Sequence, residues 1–186
     1  MLNKSFSPHP PRPLTHTDQI SERSLDLLTK LNLGCGRDCH PDFINLDLAP
    51  FPGVDLIHDL QTPWPFPNDR FTEIHANQVL EHCEKLIFVM NQAFRVLRRG
   101  GTYHISVPWW AGAWQRGDPQ HCRQFDQNSF LPFSQWHANY KHQGIKGPWK
   151  LVTQTYDTDP AAKDPDYRAR FGFSIIIAMH VILEIP

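Results

Sequence analysis

Short apolar segments recur along the chain, and most of them have the length and alternation of β-strands. They are bounded by Gly, Pro, Asn and Asp, which commonly end strands. The predicted strands cover residues 27–34, 43–48, 54–60, 71–77, 101–108, 149–156 and 173–185. The run over 173–182 is almost continuously apolar, so we expect a strand that is covered on both faces. We predict that it forms an antiparallel hairpin with the strand before it, and that the connection over 157–170 lies away from the ligand-binding strand ends.

One segment between the fourth and fifth strands has helical spacing instead. Its apolar residues recur at positions 86, 87, 89, 90, 93, 94 and 97, which is the pattern of an amphipathic helix. Arg98 and Arg99 suit the negative end of the helix dipole, and Gly100 is predicted to cap the helix. Weaker helical patterns cover 20–28 and 128–140. Strands that alternate with helices predict an α/β sandwich around a largely parallel sheet.

The ends of the chain and its cysteines set the expected organisation. Residues 1–17 are rich in proline and lack periodicity, so we expect a flexible arm, and residues 18–186 are predicted to form a single domain. No secretory signal opens the chain, and the four cysteines are scattered, which favours free thiols and a cytoplasmic location. Cys35, Cys39 and His40 lack a partner pair for a zinc site, so no metal is predicted.

Charge narrows the classes of partner. The net charge is −1 and the isoelectric point is about 6.8, so there is no basic excess for nucleic acid or for an anionic membrane surface. No apolar run is long enough to span a bilayer as a helix.

Two glycines and one acid carry the strongest chemical signal. Gly34 and Gly36 follow the first strand directly, and Asp47 ends the second. In a doubly wound sheet, glycines at this point let a ligand approach the backbone, and an acid there accepts the hydroxyls of a ribose. The pattern therefore predicts a nucleoside-containing cofactor.

A dinucleotide is the alternative cofactor. It requires a third glycine and a helix whose N-terminus faces the pyrophosphate. Cys39 stands at the position of the third glycine. Only residues 37–42 separate Gly36 from the second strand, which is too short for a crossover helix. A nicotinamide dehydrogenase is therefore disfavoured, and S-adenosylmethionine is the expected ligand.

Several further motifs carry a family resemblance. LNLGCG, INLDL, IHDL, WPFPNDRF, NQVLEH and FRVLRRGG followed by YHISVP stand in this order over residues 29–108. In this respect the chain resembles class I S-adenosylmethionine-dependent methyltransferases, and more narrowly the small bacterial and phage enzymes with a shortened first helix. The resemblance implies a Rossmann-like sandwich with a mostly parallel seven-stranded sheet and an antiparallel last strand.

The resemblance also implies roles for individual residues. Gly34, Gly36 and the Cys35 backbone are expected to contact the methionine part of the cofactor, and Asn77 to face the methionine end. Asp47 is expected to bind the ribose hydroxyls. Leu48, Asp59 and Leu60 are expected to contact the adenine. Glu81 and His82 occupy the family's acid–histidine pair, which is partly structural, and His82 is expected to contact the cofactor. Capping of the long helix is the alternative interpretation. The chain departs from the family by lacking the third glycine and by having Thr72 and Glu73 before the fourth strand.

The loop after the fifth strand is the predicted acceptor site. Histidine is the side chain that ordinarily changes charge near neutral pH, so His121 is our candidate for the base that deprotonates an acceptor hydroxyl. Asp118 and Arg123 are expected to contact the acceptor, and Trp109, Trp110 and Trp114 to exclude water. The alternative is that Asp118 and His121 only tie the loop together.

The acceptor itself is predicted by exclusion. The segments HANQVLEH and SVPWW lack the residues that nucleic-acid base methyltransferases use. A small molecule or a glycan hydroxyl is expected instead. A non-catalytic cofactor-binding or scaffolding protein of the same fold remains the rival hypothesis.

Overall fold

A computed structural model describes residues 22–134, 140–160 and 176–186. The predicted arm over 1–17 lies outside these residues, as does the middle of the connection that precedes the last strand. The described strands are β1 (Lys30–Leu33), β2 (Ile44–Asp47), β3 (Leu56–Ile57), β4 (Phe71–Asn77), β5 (Leu97–Pro108), β6 (Lys150–Thr158) and β7 (Ile176–Glu184). The described helices are α1 (Glu22–Leu27), α2 (Leu86–Val96), α3 (Ala113–Gly117) and α4 (Leu131–Ser134), with short 3-10 turns at Leu80–His82 and Lys141–Gln143.

The described strands form one mixed sheet in the order β3-β2-β1-β4-β5-β7-β6. The first five strands run parallel, whereas β7 is antiparallel to both β5 and β6. Strand order reverses at β1, because the chain leaves β1 toward β2 and later returns to its other side with β4. The predicted fold, including the antiparallel last strand and its hairpin with β6, is confirmed.

The boundary between α2 and β5 differs from the prediction. The helix ends at Val96, and Leu97 already has an extended backbone and pairs with Phe71 of β4. Both side chains are almost fully buried, so pairing Leu97 into the sheet core outweighs another helical turn. Gly100 does not cap the helix; it lies in β5 with a φ of 71° and donates its N–H to Ile185.

The sheet is apolar on one face and polar on the other. The apolar face, packed around α2, carries residues that are at most 2 % exposed: Leu31, Leu33, Ile74, Ala76, Tyr103, Ile105, Val107, Met179, Val181 and Leu183. Residues that alternate with them point to the opposite face, among them Asn32, Glu73, His75, Thr102, His104, His180 and Glu184. The prediction that the last strand is covered on both faces is wrong for this part of β7, where His180, Ile182 and Glu184 are only half-buried.

The short inter-strand connections explain the polar face. The segments that join β1 to β2, β2 to β3 and β3 to β4 contain no helix, so no helix from these connections covers that side. The expected shortening of the first helix is therefore complete in the structure. Polar side chains are tolerated there because they remain in contact with water.

The last connection begins and ends at the carboxyl edge of the parallel strands. Thr158 at the end of β6 pairs with Ile176, and Ala178 pairs with Pro108 at the end of β5. The prediction that the connection over 157–170 lies away from the ligand-binding edge is therefore wrong for its start at Asp157 and Thr158, and residues 161–175 lie outside the described structure. The cause is the antiparallel direction of β7, which starts where β5 stops.

Membrane insertion has no helical candidate: none of the helices within the three described ranges is long and apolar enough to cross a bilayer.

Candidate functional site

The predicted glycines lie where β1 leaves the sheet at its carboxyl edge. Gly34 and Gly36 have φ values of 59° and 53°, in the left-handed region that glycine adopts at least cost. At Gly34 an added Cβ would lie 2.4 Å from the Cγ2 atom of Val79, whereas at Gly36 it would meet nothing within 4 Å. Gly34 is thus required for packing against the turn after β4, and Gly36 for its backbone conformation.

This difference leads to a stability prediction. We expect Gly34→Ala to lower the free energy of unfolding by about 3 kcal/mol, because steric overlap with Val79 adds to the cost of the left-handed backbone. Gly36→Ala should cost only about 1 kcal/mol, since it has the backbone term alone. Urea titrations of both variants measure the difference. Equal losses would contradict the packing role, and Val79→Ala should partly restore the Gly34 variant.

Asp47 holds the glycine loop to β2. One carboxylate oxygen accepts the Gly36 N–H at 2.7 Å, and the other accepts the Ala49 N–H at 2.9 Å. A carboxylate has about four acceptor positions, so further donors can still bind. The side chain is half-buried and faces the cavity described below. Asp47 is therefore both a structural clamp and a free acceptor.

Asp59 and Leu60 follow β3 in a turn that faces the same edge. One Asp59 oxygen accepts the Gln61 N–H at 2.9 Å, and the other oxygen has no hydrogen-bond partner in the described structure. Leu60 is buried, and its carbonyl accepts the Trp64 indole N–H at 2.9 Å. The turn thus presents one carboxylate oxygen and a fixed backbone to a ligand.

A cavity of about 180 Å³ collects most of the predicted cofactor residues. The predicted residues in its wall are Gly34, Asp47, Leu48, Asp59, Leu60 and His82. The sequence did not predict His58, Gln61, Val79 and Cys83, which also line it. Gln61 and Val79 gave no chemical signal, and only their position just after a strand could have suggested them.

Three predicted cofactor residues lie outside that wall. The Cys35 thiol is buried, 3.7 Å from the Cys39 sulfur, and burial raises its pKa to about 12; it is a packed, protonated thiol. Gly36 faces open space beside the cavity. Asn77 lines a separate groove of about 330 Å³ on the polar sheet face, together with His75 and His104 among others.

Trp109 and Trp110, the tryptophans after β5 whose side chains the structure describes, differ in exposure. Trp109 is 9 % exposed, donates its N–H to Ile177 and makes an edge contact with Tyr156. Trp110 is 49 % exposed. The side chain of Trp114 lies outside the described part of the structure. Trp109 is therefore a core residue, and of these two only Trp110 offers an exposed indole.

Arg123 and Asp118 have structural contacts of their own. The Arg123 guanidinium donates to the carbonyls of Cys83 and Glu84, and the Arg123 N–H donates to the Glu81 carbonyl. One Asp118 oxygen accepts the Gln120 N–H at 2.8 Å. The Arg123 bonds fasten the loop over 118–123 to the turn that follows β4, whereas the Asp118 bond lies within the loop.

Glu81, His82 and His121 meet at this junction, beside the cavity. Glu81 is fully buried, and neither carboxylate oxygen has a hydrogen-bond partner in the described structure. Burial raises its pKa to about 7, and the Asp118 carboxylate adds to the rise. The rings of His82 and His121 lie edge to face, 4.7 Å apart. Glu81 and His82 do not cap α2, because that helix begins only at Leu86.

The raised pKa of Glu81 implies a pH-dependent stability. The folded state holds the Glu81 proton more tightly than the unfolded state, whose pKa is near 4.5. Ionisation of the buried Glu81 carboxyl therefore lowers the free energy of unfolding. This loss is absent below about pH 4.5 and complete above about pH 7. In chelator-treated protein at pH 8, Glu81→Gln should therefore raise the free energy of unfolding by about 3 kcal/mol, since each pKa unit is worth about 1.4 kcal/mol. A difference that stays constant from pH 4 to 8 would contradict this.

Comparison with known proteins places these features in context. Residues 35–105 match a family model described as a methyltransferase domain, whereas no curated protein matches the chain. A proposed methyltransferase from Bacillus halodurans has 13% identity and a TM-score of 0.56, over 88% of this chain and 96% of its own.

Two other solved structures show how much the fold alone establishes. A SAM-dependent methyltransferase from Archaeoglobus fulgidus has 12% identity and a TM-score of 0.55, over 86% of this chain and 87% of its own. The [4+2]-cyclase SpnF has 15% identity and a TM-score of 0.57, over 91% of this chain and 80% of its own. At such identities the likeness establishes the fold, and that fold supports more than one reaction.

Proposed function

We propose that this chain, whose residues 35–105 match a methyltransferase-domain model, binds S-adenosylmethionine and transfers its methyl group to a hydroxyl of a small molecule or glycan. The observation that carries the proposal is the cavity at the carboxyl edge. Residues from the ends of β1, β2 and β3 and from the turn after β4 converge on it. Ligands bind at this edge in open α/β sheets, where the strand order reverses.

The polar groups of the cavity suit a nucleoside. The remaining acceptor positions of Asp47 are proposed to take the ribose hydroxyls, and the second oxygen of Asp59 the adenine amino group. Leu48 is 71 % exposed at the rim. Its side chain is proposed to cover one face of the adenine ring. Gly34 and Gly36 supply backbone at the methionine end.

A dinucleotide fits this site less well. The segment from Gly34 to Phe43 contains turns but no helix, so no helix N-terminus faces the cavity from β1. A pyrophosphate would also lie next to the Asp47 carboxylate with no described Lys or Arg in the cavity wall. A cofactor without phosphates avoids this repulsion.

The acceptor side is assigned to the junction beside the cavity. Methyl transfer from a sulfonium needs no acid for the thioether leaving group, but a hydroxyl nucleophile must lose its proton. His121 is the proposed catalytic residue, and Asp118 and Trp110 are proposed to contact the acceptor. Arg123 and Trp109 hold the loop in place and do not contact the acceptor themselves. A purely scaffolding role leaves the buried polar junction beside the cavity without a purpose, so turnover is favoured.

The experiment is an acceptor screen with a separate binding arm. Purified protein is first titrated with S-adenosylmethionine, and then incubated with it and with panels of phenols, alcohols and oligosaccharides while S-adenosylhomocysteine is measured. Release that depends on one acceptor class supports the proposal. Binding without release for any acceptor favours the scaffolding alternative. Absence of binding would remove the proposal altogether.

A further inference from the structure

The junction of Glu81, His82 and His121 has the spacing of a metal site. One ligand atom from each residue can be chosen so that all three lie within 4.8 Å of one another. Glu81 and His82 belong to the turn after β4, and His121 to the loop after β5. No hydrogen bond joins the three side chains to each other in the described structure. The three side chains are therefore close enough to share one ion, and none of these described side chains is tied to another by a hydrogen bond.

The charge balance at this junction also favours a cation. The buried Glu81 carboxylate forms no ion pair with any described residue, and Asp118 places a second carboxylate oxygen 3.7 Å from the His121 Nε2 atom. The nearby arginine, Arg123, is directed to the carbonyls of Cys83 and Glu84 instead. An isolated buried carboxylate is costly unless it is protonated, paired or bound to a metal.

The orientation of His121 fixes which nitrogen is available. Its Nδ1 atom lies 3.2 Å from the Gln115 carbonyl oxygen, which can only accept, so Nδ1 carries the hydrogen. Nε2, which lies 3.7 Å from an Asp118 carboxylate oxygen, is therefore the nitrogen that is left free as a ligand. Metal-binding histidines commonly have this arrangement, in which a backbone carbonyl fixes the ring and its tautomer. The His121 side chain is only 8 % exposed, so the ring is also held by packing.

A second cluster in the same chain provides a contrast. Glu73, His75 and His104 on the polar sheet face are equally close together. There, however, Glu73 is bound by Lys30 at 2.9 Å and by His75 at 2.6 Å. The His104 Nε2 atom bonds the Thr102 hydroxyl at 3.1 Å. Because its charges and lone pairs are already satisfied, this cluster has much less to gain from an ion.

We propose that Glu81, His82 and His121 bind a divalent transition metal of the Zn²⁺ class. Two imidazole nitrogens and one carboxylate oxygen suit Zn²⁺ and Co²⁺, whereas Mg²⁺ and Ca²⁺ prefer oxygen ligands alone. The ion ties the loop over 118–123 to the turn after β4, next to the cofactor cavity. This differs from the sequence-based expectation of no metal, because the three ligands come together only through the fold.

The inference rests on the proposed function for the chemistry that the ion serves, but not for the binding itself. With an ion on Nε2, His121 acts as a ligand. An acceptor hydroxyl that binds the ion then loses its proton more readily, and the proton passes to solvent. Methyl transfer to the resulting oxygen follows as before, with S-adenosylhomocysteine as the leaving product.

The test uses the full chain without a polyhistidine tag, stripped with a chelator and titrated with Co²⁺ and then Zn²⁺. We expect one equivalent of Co²⁺ to give visible d–d absorption that Zn²⁺ abolishes and that Mg²⁺ leaves unchanged. Glu81→Gln and His121→Gln should each weaken Zn²⁺ binding by about 100-fold or more, since even outer-shell changes cost 10- to 100-fold. The matched control, Glu73→Gln, should leave the affinity within about 2-fold, because that cluster lies on the polar sheet face.

The outcomes separate this inference from the proposed function. A spectrum that is retained in both junction variants but lost in Glu73→Gln would overturn it and place the ion on the sheet face. Absence of any Co²⁺ spectrum in the folded wild-type protein would also overturn it. Titration with S-adenosylhomocysteine in the same samples reports on the cofactor site independently. Full transfer activity in chelated protein would leave the free His121 imidazole as the base and would contradict a role for the ion.

Discussion

Replacing His121 with alanine is expected to lower the rate of methyl transfer by about 100-fold or more while leaving S-adenosylhomocysteine affinity within about 2-fold. General bases contribute roughly 10²- to 10⁴-fold, and loss of a metal ligand at the acceptor has a comparable effect. The side chain is packed in the junction and does not line the cofactor cavity, so binding should survive. Single-turnover rates and calorimetric affinities measure the two effects.

His142→Ala is the matched control, because His142 is an exposed histidine on the short 3-10 turn at Lys141–Gln143 and does not line the cofactor cavity. It should change neither transfer nor binding. If His121→Ala loses cofactor affinity along with activity, the loop is needed for the cavity and the residue is structural. If transfer is unchanged in a folded variant, the assignment of His121 to the acceptor is wrong.

Replacing Asp47 with alanine is expected to weaken cofactor binding by about 100-fold, or about 3 kcal/mol, because charge-assisted hydrogen bonds are each worth roughly 1.5 to 3 kcal/mol. The variant loses the proposed bonds to the ribose. It also leaves the N–H groups of Gly36 and Ala49 without their present acceptor, so the glycine loop should loosen. Calorimetric titration with S-adenosylmethionine measures the effect.

Asp55 offers a matched control for the structural part of that effect. Its carboxylate accepts the N–H of Asn45 in β2 at 2.8 Å and also the Asn45 side chain, but Asp55 lines none of the described cavity. Asp55→Ala should lower stability without weakening the cofactor by more than a few fold. Equal losses of affinity in the two variants would show that Asp47 acts only through the loop.

The sequence predicted those parts of the fold that depend on local pattern. Strand β4 begins and ends where expected, because its alternation is uninterrupted from Phe71 to Asn77. The predicted end of α2 was wrong, because an apolar Leu97 suits a helix and a sheet core equally well. Its pairing with Phe71 decides that Leu97 belongs to the strand. The polar sheet face was also missed. The alternation of His75 and His104 was visible, but coverage depends on helices, and the described connections between β1 and β4 contain none.

The site divides in the same way. The sequence could place Asp47 and Asp59 at the ligand-binding edge because each lies at or just after the end of a strand, while their contacts with a cofactor stay predictions. The clash between Gly34 and Val79 was not predictable, because it joins residues 45 positions apart in the chain. The isolation of the Glu81 carboxylate depends equally on packing: sequence shows an acid beside a histidine, but not that His121 arrives from another loop and that Arg123 turns away.

Calorimetric titration of the purified wild-type chain with S-adenosylhomocysteine, followed by competition with NADH, tests the central claim most directly. The account predicts binding of one S-adenosylhomocysteine per chain, loss of most of that affinity in Asp47→Ala, and no displacement by NADH. A folded protein that binds no S-adenosylhomocysteine, or one from which NADH displaces it at comparable concentration, would contradict the account.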